Sequence, residues 1–396
     1  MSASLLYATR SFLPSASANA VQSAHMAATL ARAVPGTVAI YRTPTKSAES
    51  RGHFSPFGVE PPPACIAVRC YPRFEHSHVY VLRFLSIFRR FGSLKPLVYT
   101  RSARLSWAAA CAGLPLVLEL HDPLIPLRRR WLRHLHRTGR LPAVVATTHR
   151  LRDDLISEVD LPPDRILVAG GAACPKLAAV RPSEKADGGG FHVGYAGSAL
   201  QGKGVEQVIA CARILTDYTF HLIGPSLKEC QRLCPIPANL RFHGYCSAPE
   251  VMARIKSMDA LLLPNQRSVI IRSGADIGQH TSPLKLFEYL ASGCPIVASD
   301  LPVFQNILKD GENALLAPPE DTPAFCAALR ALQTQPALAR RLGEVARKDF
   351  LENHTWSHRV DRILRFIRSL HLPLPDSPSS SVRAHRDHAV TSGRPR

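Results

Sequence analysis

Lys285, Glu288 and Ser292 are spaced by three and four residues, so they share one face of a helix, while Leu284, Phe287 and Ala291 share the neighbouring one. Ser282 suits the N-cap of that helix, and Pro283 suits its first position because it lacks an N–H that would otherwise be orphaned. Gly293 ends the helix and Pro295 forbids its continuation, leaving Ile296-Val297-Ala298 as a short buried strand. An open helix N-terminus carries free N–H groups and the positive end of the helix dipole, so phosphate binds there. With a cation and a carboxylate close behind it, the segment reads as a nucleotide clamp. The same spacing also describes a capped amphipathic helix with a solvated ion pair, so its surroundings must decide.

A second segment points to the same chemistry. Gly197-Ser198-Ala199-Leu200-Gln201-Gly202-Lys203-Gly204 joins a predicted strand from Phe191 to a helix starting at Val205. Such a loop lies at the C-terminal edge of a parallel sheet, where ligands of open α/β folds bind. Its glycines let backbone amides approach a phosphate, and Lys203 can neutralise it, although a tight turn alone would also need glycine. In the first half of the chain, Leu118-Glu119-Leu120-His121-Asp122-Pro123 and Tyr99-Thr100-Arg101 each end a strand. His121 there is a candidate ligand contact or a structural histidine, and Asp122 has the alternative of capping the next helix. Asn19 in Ser17-Ala18-Asn19-Ala20-Val21 is a candidate ligand residue or an N-cap.

The elements that must hold these residues follow a βαβ rhythm. Strands are predicted at Leu5 to Phe12, Thr37 to Tyr41, Leu97 to Tyr99, Leu116 to Leu120 and Ala143 to Thr147, with a helix from Ala18 to Arg32. Residues 43–64, rich in Pro, Ser and Gly, read as loop. Residues 181–190 lack apolar periodicity and end in three glycines, which marks a linker. The rhythm then restarts at Phe191 and continues through Phe220 to Gly224, Leu240 to Tyr245 and Ala260 to Pro264. The expected organisation is a first α/β domain at 1–180, a linker at 181–190 and a second domain at 191–350. A helix at 351–370 and a disordered Pro-, Ser- and Arg-rich tail at 371–396 follow.

Composition bounds the function. With 396 residues and 46% hydrophobic content, the chain can bury two cores. No apolar run approaches the roughly 20 residues that cross a bilayer. The N-terminus lacks a basic stretch before its apolar residues and reads as a strand rather than a signal peptide. Ten cysteines are scattered without a Cys-x-x-Cys pair, consistent with reduced thiols in a cytoplasm. The net charge of +19 admits nucleic acid, an anionic membrane or an acidic small substrate as partner, but no nucleic-acid module stands out. Two stretches combine arginines with apolar strips: Val81 to Phe91, and Arg128 to Arg140 with Trp131, Leu132 and Leu135. At an anionic surface each basic residue contributes on the order of 1 kcal/mol, so several could hold the protein there; the alternative is that both strips face the core.

Ser-Pro-Leu-Lys-Leu-Phe-Glu-Tyr-Leu-Ala-Ser-Gly-Cys-Pro-Ile-Val-Ala-Ser-Asp, residues 282–300, resembles the signature of glycosyltransferase family 4 almost throughout. That resemblance implies the GT-B fold, two Rossmann-like doubly wound parallel-sheet domains facing a cleft, with the final helix crossing back to the first domain. It implies a retaining transfer of sugar from a UDP- or GDP-type nucleotide diphosphate sugar to a hydroxyl of a glycan or lipid-linked acceptor at the inner membrane. No cofactor and no metal are expected, in keeping with the lack of an Asp-x-Asp motif. Catalytic roles are implied for His121, Lys203 and Glu288, with His121 next to the transferred sugar and Glu288 on the ribose hydroxyls. Donor contacts are implied for Gly197, Ser198, Lys203, Gly204, Thr281, Ser282, Lys285 and Glu288, and acceptor contacts for Asn19 and Arg101. Three positions depart from the pattern: Ser198 replaces a basic residue, His280 replaces a glutamate, and Ala169-Gly170-Gly171 replaces a polar turn. These departures leave open a nucleotide-sugar-binding scaffold of weak activity; the charge alone motivates a basic nucleic-acid-binding protein.

Overall fold

The computed structural model describes residues 3–15, 17–44, 50–70, 79–184, 190–232, 235–271 and 274–375. The first half is a sheet of seven parallel strands: β1 (Leu5–Phe12), β2 (Thr37–Thr43), β3 (Ala64–Arg69), β4 (Leu97–Thr100), β5 (Leu116–Leu120), β6 (Ala143–Ala146) and β7 (Ile166–Val168). Their order is β3-β2-β1-β4-β5-β6-β7. The second half is a sheet of six parallel strands: β8 (Phe191–Ala196), β9 (Tyr218–Ile223), β10 (Leu240–Gly244), β11 (Ala260–Leu263), β12 (Ile296–Ser299) and β13 (Leu315–Ala317). Its order is β10-β9-β8-β11-β12-β13. Covered by helices on both faces, the central strands are apolar without alternation. All residues of β6 and of β11 are buried.

The strand order of each sheet reverses once, between β1 and β4 in the first and between β8 and β11 in the second. A crevice opens at such a switch point, outside the carboxyl ends of the strands. The loop after β1 leads to Asn19 and the loop after β8 carries Lys203, so both lie at these crevices.

Helices Ala18–Ala33 and Trp356–Ser369 cover one face of the first sheet. The second of these comes from the far end of the chain. Its Trp356, Val360, Ile363, Leu364 and Ile367 form one apolar stripe that packs among Ala20, Ala24 and Ala27. Helices Val79–Arg90, Ala103–Cys111, Pro126–Arg137 and His149–Val159 cover the opposite face. In the second half, Val205–Ile214 and Thr322–Thr334 line one face. Ala248–Ile255, Leu284–Ser292 and Pro336–Asn353 line the other.

Several local expectations are corrected. The helix after Ser282 begins at Leu284, with Pro283 at the N-cap, so Ser282 stands outside it. Ser17, not Asn19, caps the first helix by accepting from the Ala20 N–H at 3.3 Å. Asp122 caps nothing, because the next helix starts at Pro126 with Ile125 at its N-cap. Residues 43–64 contain a short helix, Ser50–Phe54, and a 3₁₀ turn, Ser55–Phe57. The apolar strips of the two arginine-rich stretches face inward: Val81, Phe84, Phe88, Leu132 and Leu135 are buried. Of the linker, Ser183 donates its N–H to the Ala253 carbonyl at 2.9 Å; residues 185–189, and 376–396 of the tail, lie outside the described residues.

Candidate active site

The loop after β8 folds around two buried groups. Gly202 and Gly204 take φ of +83° and +89°, and a Cβ on either would lie 1.9 Å from a carbonyl oxygen, of Ser268 and Pro264 respectively. Only glycine meets both demands. The Tyr195 hydroxyl donates to the Ser198 carbonyl at 2.9 Å and lies 3.3 Å from that of Lys203, holding the loop from beneath. Lys285, only 9% exposed, places its Nζ 4.6 Å from the centre of the Tyr195 ring and 3.5 Å from the Lys203 carbonyl.

Burial lowers the pKa of Lys285 well below the usual lysine range, and the charge of Lys203 adds to the shift. Burial also lowers Lys203. Among the described residues neither ammonium has a carboxylate within ion-pair distance. Glu288, one turn further along the helix, is partly buried and forms no ion pair there; burial raises its pKa. Two converging, uncompensated cations beside a helix N-terminus are what a diphosphate requires.

The segment entering that helix is pinned to the first half of the chain. Ser282 Oγ accepts from the Gly171 N–H at 2.9 Å, and His280 Nε2 lies 2.7 Å from Asp154 Oδ2. A Cβ on Gly171 would come within 2.6 Å of the Phe287 ring, so the glycines at 170–171 are the condition for this approach. Thr281 is buried between these two contacts.

The facing edge of the first sheet carries a network centred on Glu119, at the end of β5. Glu119 is fully buried and meets Arg359 at 3.1 Å, His121 at 2.5 Å and Arg101 at 3.5 Å. The Tyr99 hydroxyl donates to its other side, and Gln22 Nε2 to Oε1 at 3.5 Å. Burial alone would raise the carboxyl pKa, but Arg359, His121 and Arg101 together hold it well below the usual range. Burial, then Arg101, pushes His121 down to about 4, so its ring is neutral at pH 7; its Nε2 lies 2.5 Å from Glu119 Oε1 and 3.0 Å from Arg101 Nε. Arg101 continues outward, donating from its second terminal nitrogen to Asn19 Oδ1 at 3.3 Å.

The structure therefore gathers the candidates into two groups. Gly197, Ser198, Lys203, Gly204 and Lys285 belong to one, with Thr281 and Ser282 at its rim; Asn19, Arg101 and His121 belong to the other, and Glu288 lies one turn beyond Lys285 on the same helix. No hydrogen bond or ion pair joins the groups among the described residues. Sequence reasoning missed the hub role of Glu119 and its partner Arg359, which also donates to the Gly170 carbonyl at 2.6 Å. It also missed Asp154. The available signals were a glutamate inside an apolar strand and an arginine on the apolar stripe of the last helix. A cavity of about 610 Å³ opens between the halves, lined by Thr148, Gly170, Gln279, Phe287 and Asp300 among others. Neither Lys203 nor Lys285 lines it, so it is separate from the cation pair.

Residues 205–365 match the family model described as glycosyl transferase-like. A phosphatidyl-myo-inositol mannosyltransferase of Mycobacterium leprae is 32% identical over 127 residues, 32% of this chain and 31% of the relative. An alpha-D-kanosaminyltransferase of Streptomyces kanamyceticus is 24% identical over 264 residues, 59% of this chain and 65% of the relative. The chain thus spans less than two thirds of the length of these curated relatives. Among solved structures, Anabaena HepE in complex with UDP superimposes with a TM-score of 0.67 at 15% identity, over 92% of this chain and 99% of that one. A glycosyltransferase from Rickettsia africae does so with a TM-score of 0.72 at 11% identity, over 94% and 99%. Two parallel-sheet domains with apposed carboxyl edges define a GT-B protein. Over residues 205–365 the chain matches a glycosyl transferase-like domain, and its fold is of the GT-B type.

Proposed function

We propose that the protein transfers a sugar from a nucleotide diphosphate sugar to a hydroxyl acceptor with retention of anomeric configuration. The observation that carries this reading is the pair Lys203, half-buried, and Lys285, buried, neither with a carboxylate partner among the described residues, beside the start of helix Leu284–Ser292. In the transfer, the bond from the anomeric carbon to the diphosphate oxygen breaks and the acceptor oxygen bonds to that carbon on the same face. The departing phosphate oxygen takes the acceptor proton. Charge accumulates on the diphosphate as it leaves, and fixed cations and amides stabilise it without reorganising. His121, neutral and held at Nε2 by Glu119 and Arg101, presents its Nδ1 to a sugar hydroxyl, and Glu288 takes the ribose hydroxyls. Gly197, Ser198, Gly204, Thr281 and Ser282 supply backbone groups to the donor, while Asn19 and Arg101 face the acceptor.

The donor is of the UDP type, supported by the UDP bound to Anabaena HepE. The acceptor is a lipid-linked hydroxyl at the inner membrane, supported by the lipid named for the mannosyltransferase relative. A docking face for such a membrane is carried by Val79, Leu82, Leu94, Trp107, Ile125 and Leu127, all exposed, among Arg83, Arg89, Arg90, Arg104 and Arg130. Of these only Leu82 belongs to the two stretches singled out in the sequence; the others stand on or beside helices Val79–Arg90, Ala103–Cys111 and Pro126–Arg137. No helix among the described residues is long and apolar enough to cross a membrane.

The test is transfer or slow hydrolysis of UDP-sugars, with and without EDTA, by the wild type and by Lys203→Ala. Turnover that survives EDTA and falls at least tenfold in Lys203→Ala is expected. Binding of the nucleotide without any turnover would leave a scaffold instead. Binding to anionic but not neutral liposomes tests the docking face, and tight DNA binding at moderate salt would contradict it.

A further inference from the structure

The turn that precedes the anion-binding helix is held by the opposite half of the molecule. Thr281 and Pro283 both have extended backbones, with φ/ψ of −81°/135° and −72°/131°. His280 and Ser282 flank Thr281 in this stretch. Both reach the first half of the chain: Ser282 Oγ accepts from the Gly171 N–H, and His280 Nε2 meets Asp154 Oδ2 at 2.7 Å.

Asp154 is itself fixed by Arg150 Nε at 2.9 Å, one turn back on helix His149–Val159. The carboxylate is therefore oriented before His280 arrives. The His280–Asp154 pair is largely shielded from water, with side-chain exposures of 12% and 10%, so it is worth more than a surface ion pair.

We infer that His280 and Asp154 are positioning residues, forming a clasp between the halves that sets the Thr281–Pro283 turn over the donor diphosphate. The inference rests on the proposed transferase reading and goes beyond it. The two side chains meet each other, and neither lines the cavity between the halves. Closing the halves and shaping the anion site become one event, because the segment that binds the N-terminal half also leads directly into the helix whose amides face the diphosphate. Opening the clasp admits water to the donor, so its loss diverts turnover from transfer to hydrolysis.

The test is a double-mutant cycle of His280→Ala, Asp154→Ala and the double variant, with His280→Gln as the conservative rescue. Glutamine retains a side-chain N–H that can donate to Asp154. Each alanine variant is expected to raise the KM for the donor about tenfold, the scale of a lost charged hydrogen bond, and to raise the ratio of hydrolysis to transfer. The radius of gyration of the UDP-bound protein, measured by small-angle scattering, should increase in both. The double variant should be no worse than either single one, and His280→Gln should recover most of the loss. Additive effects in the double variant, or an unchanged scattering profile in both single variants, overturn the clasp. Stabilisation of the wild type by UDP is measured alongside. If UDP has no effect, the transferase reading fails; if it acts on wild type and variants alike with the same profile, only the clasp fails.

Discussion

Glu119 in the first half and Lys285 in the second are both removed from water, yet one is met by Arg359, His121, Arg101 and Tyr99 while the other meets no carboxylate among the described residues. A buried charge costs several kcal/mol unless it is compensated. Around Glu119 the compensation is internal and complete, so that cluster fixes geometry: it orients His121, and through Arg359 it ties the last helix to the edge of the sheet. Around Lys285 the compensation must come from outside. The contrast distinguishes a charge that builds the fold from one kept for a ligand.

The largest expected effect attacks the compensated side. Glu119→Ala leaves Arg359 buried without its partner and should cost about 3–5 kcal/mol of stability, measured by urea denaturation with and without UDP to the same extent. Its pH dependence follows from the lowered carboxyl pKa. The stabilisation is fully present above the unfolded glutamate value and is lost as pH falls through the lower folded value.

Lys285→Met should act in the opposite sense on the free protein. The folded pKa of Lys285 lies below its unfolded value, so the unfolded chain binds more protons and this lysine lowers stability at neutral pH. The variant's ligand-free Tm should rise by a few degrees, the shift produced by about 1 kcal/mol. A fall in Tm would mean that the lysine serves the fold, and the contrast with Glu119 would disappear.

How much of this was legible in the sequence depended on the range of the interactions. The parallel sheets could be read because central strands such as Ala143–Ala146 and Ala260–Leu263 are apolar without alternation, a local property. The short β3, β7 and β13 went unread, since three to six residues at a sheet edge carry little pattern. Lys203 and Lys285 stood out through their glycine-rich loop and capped helix. The partnership of Glu119 with Arg359 joins residues far apart in the chain, and no spacing rule reaches that far. Ser282 illustrates the same limit. Local rules made it a helix cap, but a backbone N–H from the other half claims its hydroxyl.

Gly171→Ala sharpens the comparison at the junction between the two regions. The added methyl would press on the Phe287 ring and should cost about 1–3 kcal/mol, read as a lowered Tm with weakened UDP binding. Unchanged UDP affinity would show that the anion site does not depend on the contact between the halves. The smallest effect is a proton. A diphosphate beside Lys285 favours the charged form of the lysine, so any proton this group exchanges on UDP binding should be taken up rather than released. Calorimetry in two buffers of different ionisation enthalpy measures that uptake; proton release would contradict the assignment.

The most direct test is a calorimetric titration of UDP into the wild type and into Lys285→Met under identical conditions. The uncompensated lysine predicts clear binding to the wild type and an affinity about 100-fold weaker in the variant, the scale of losing a charged hydrogen bond to phosphate. Equal affinity in the two proteins would mean that the diphosphate does not lie at Lys285.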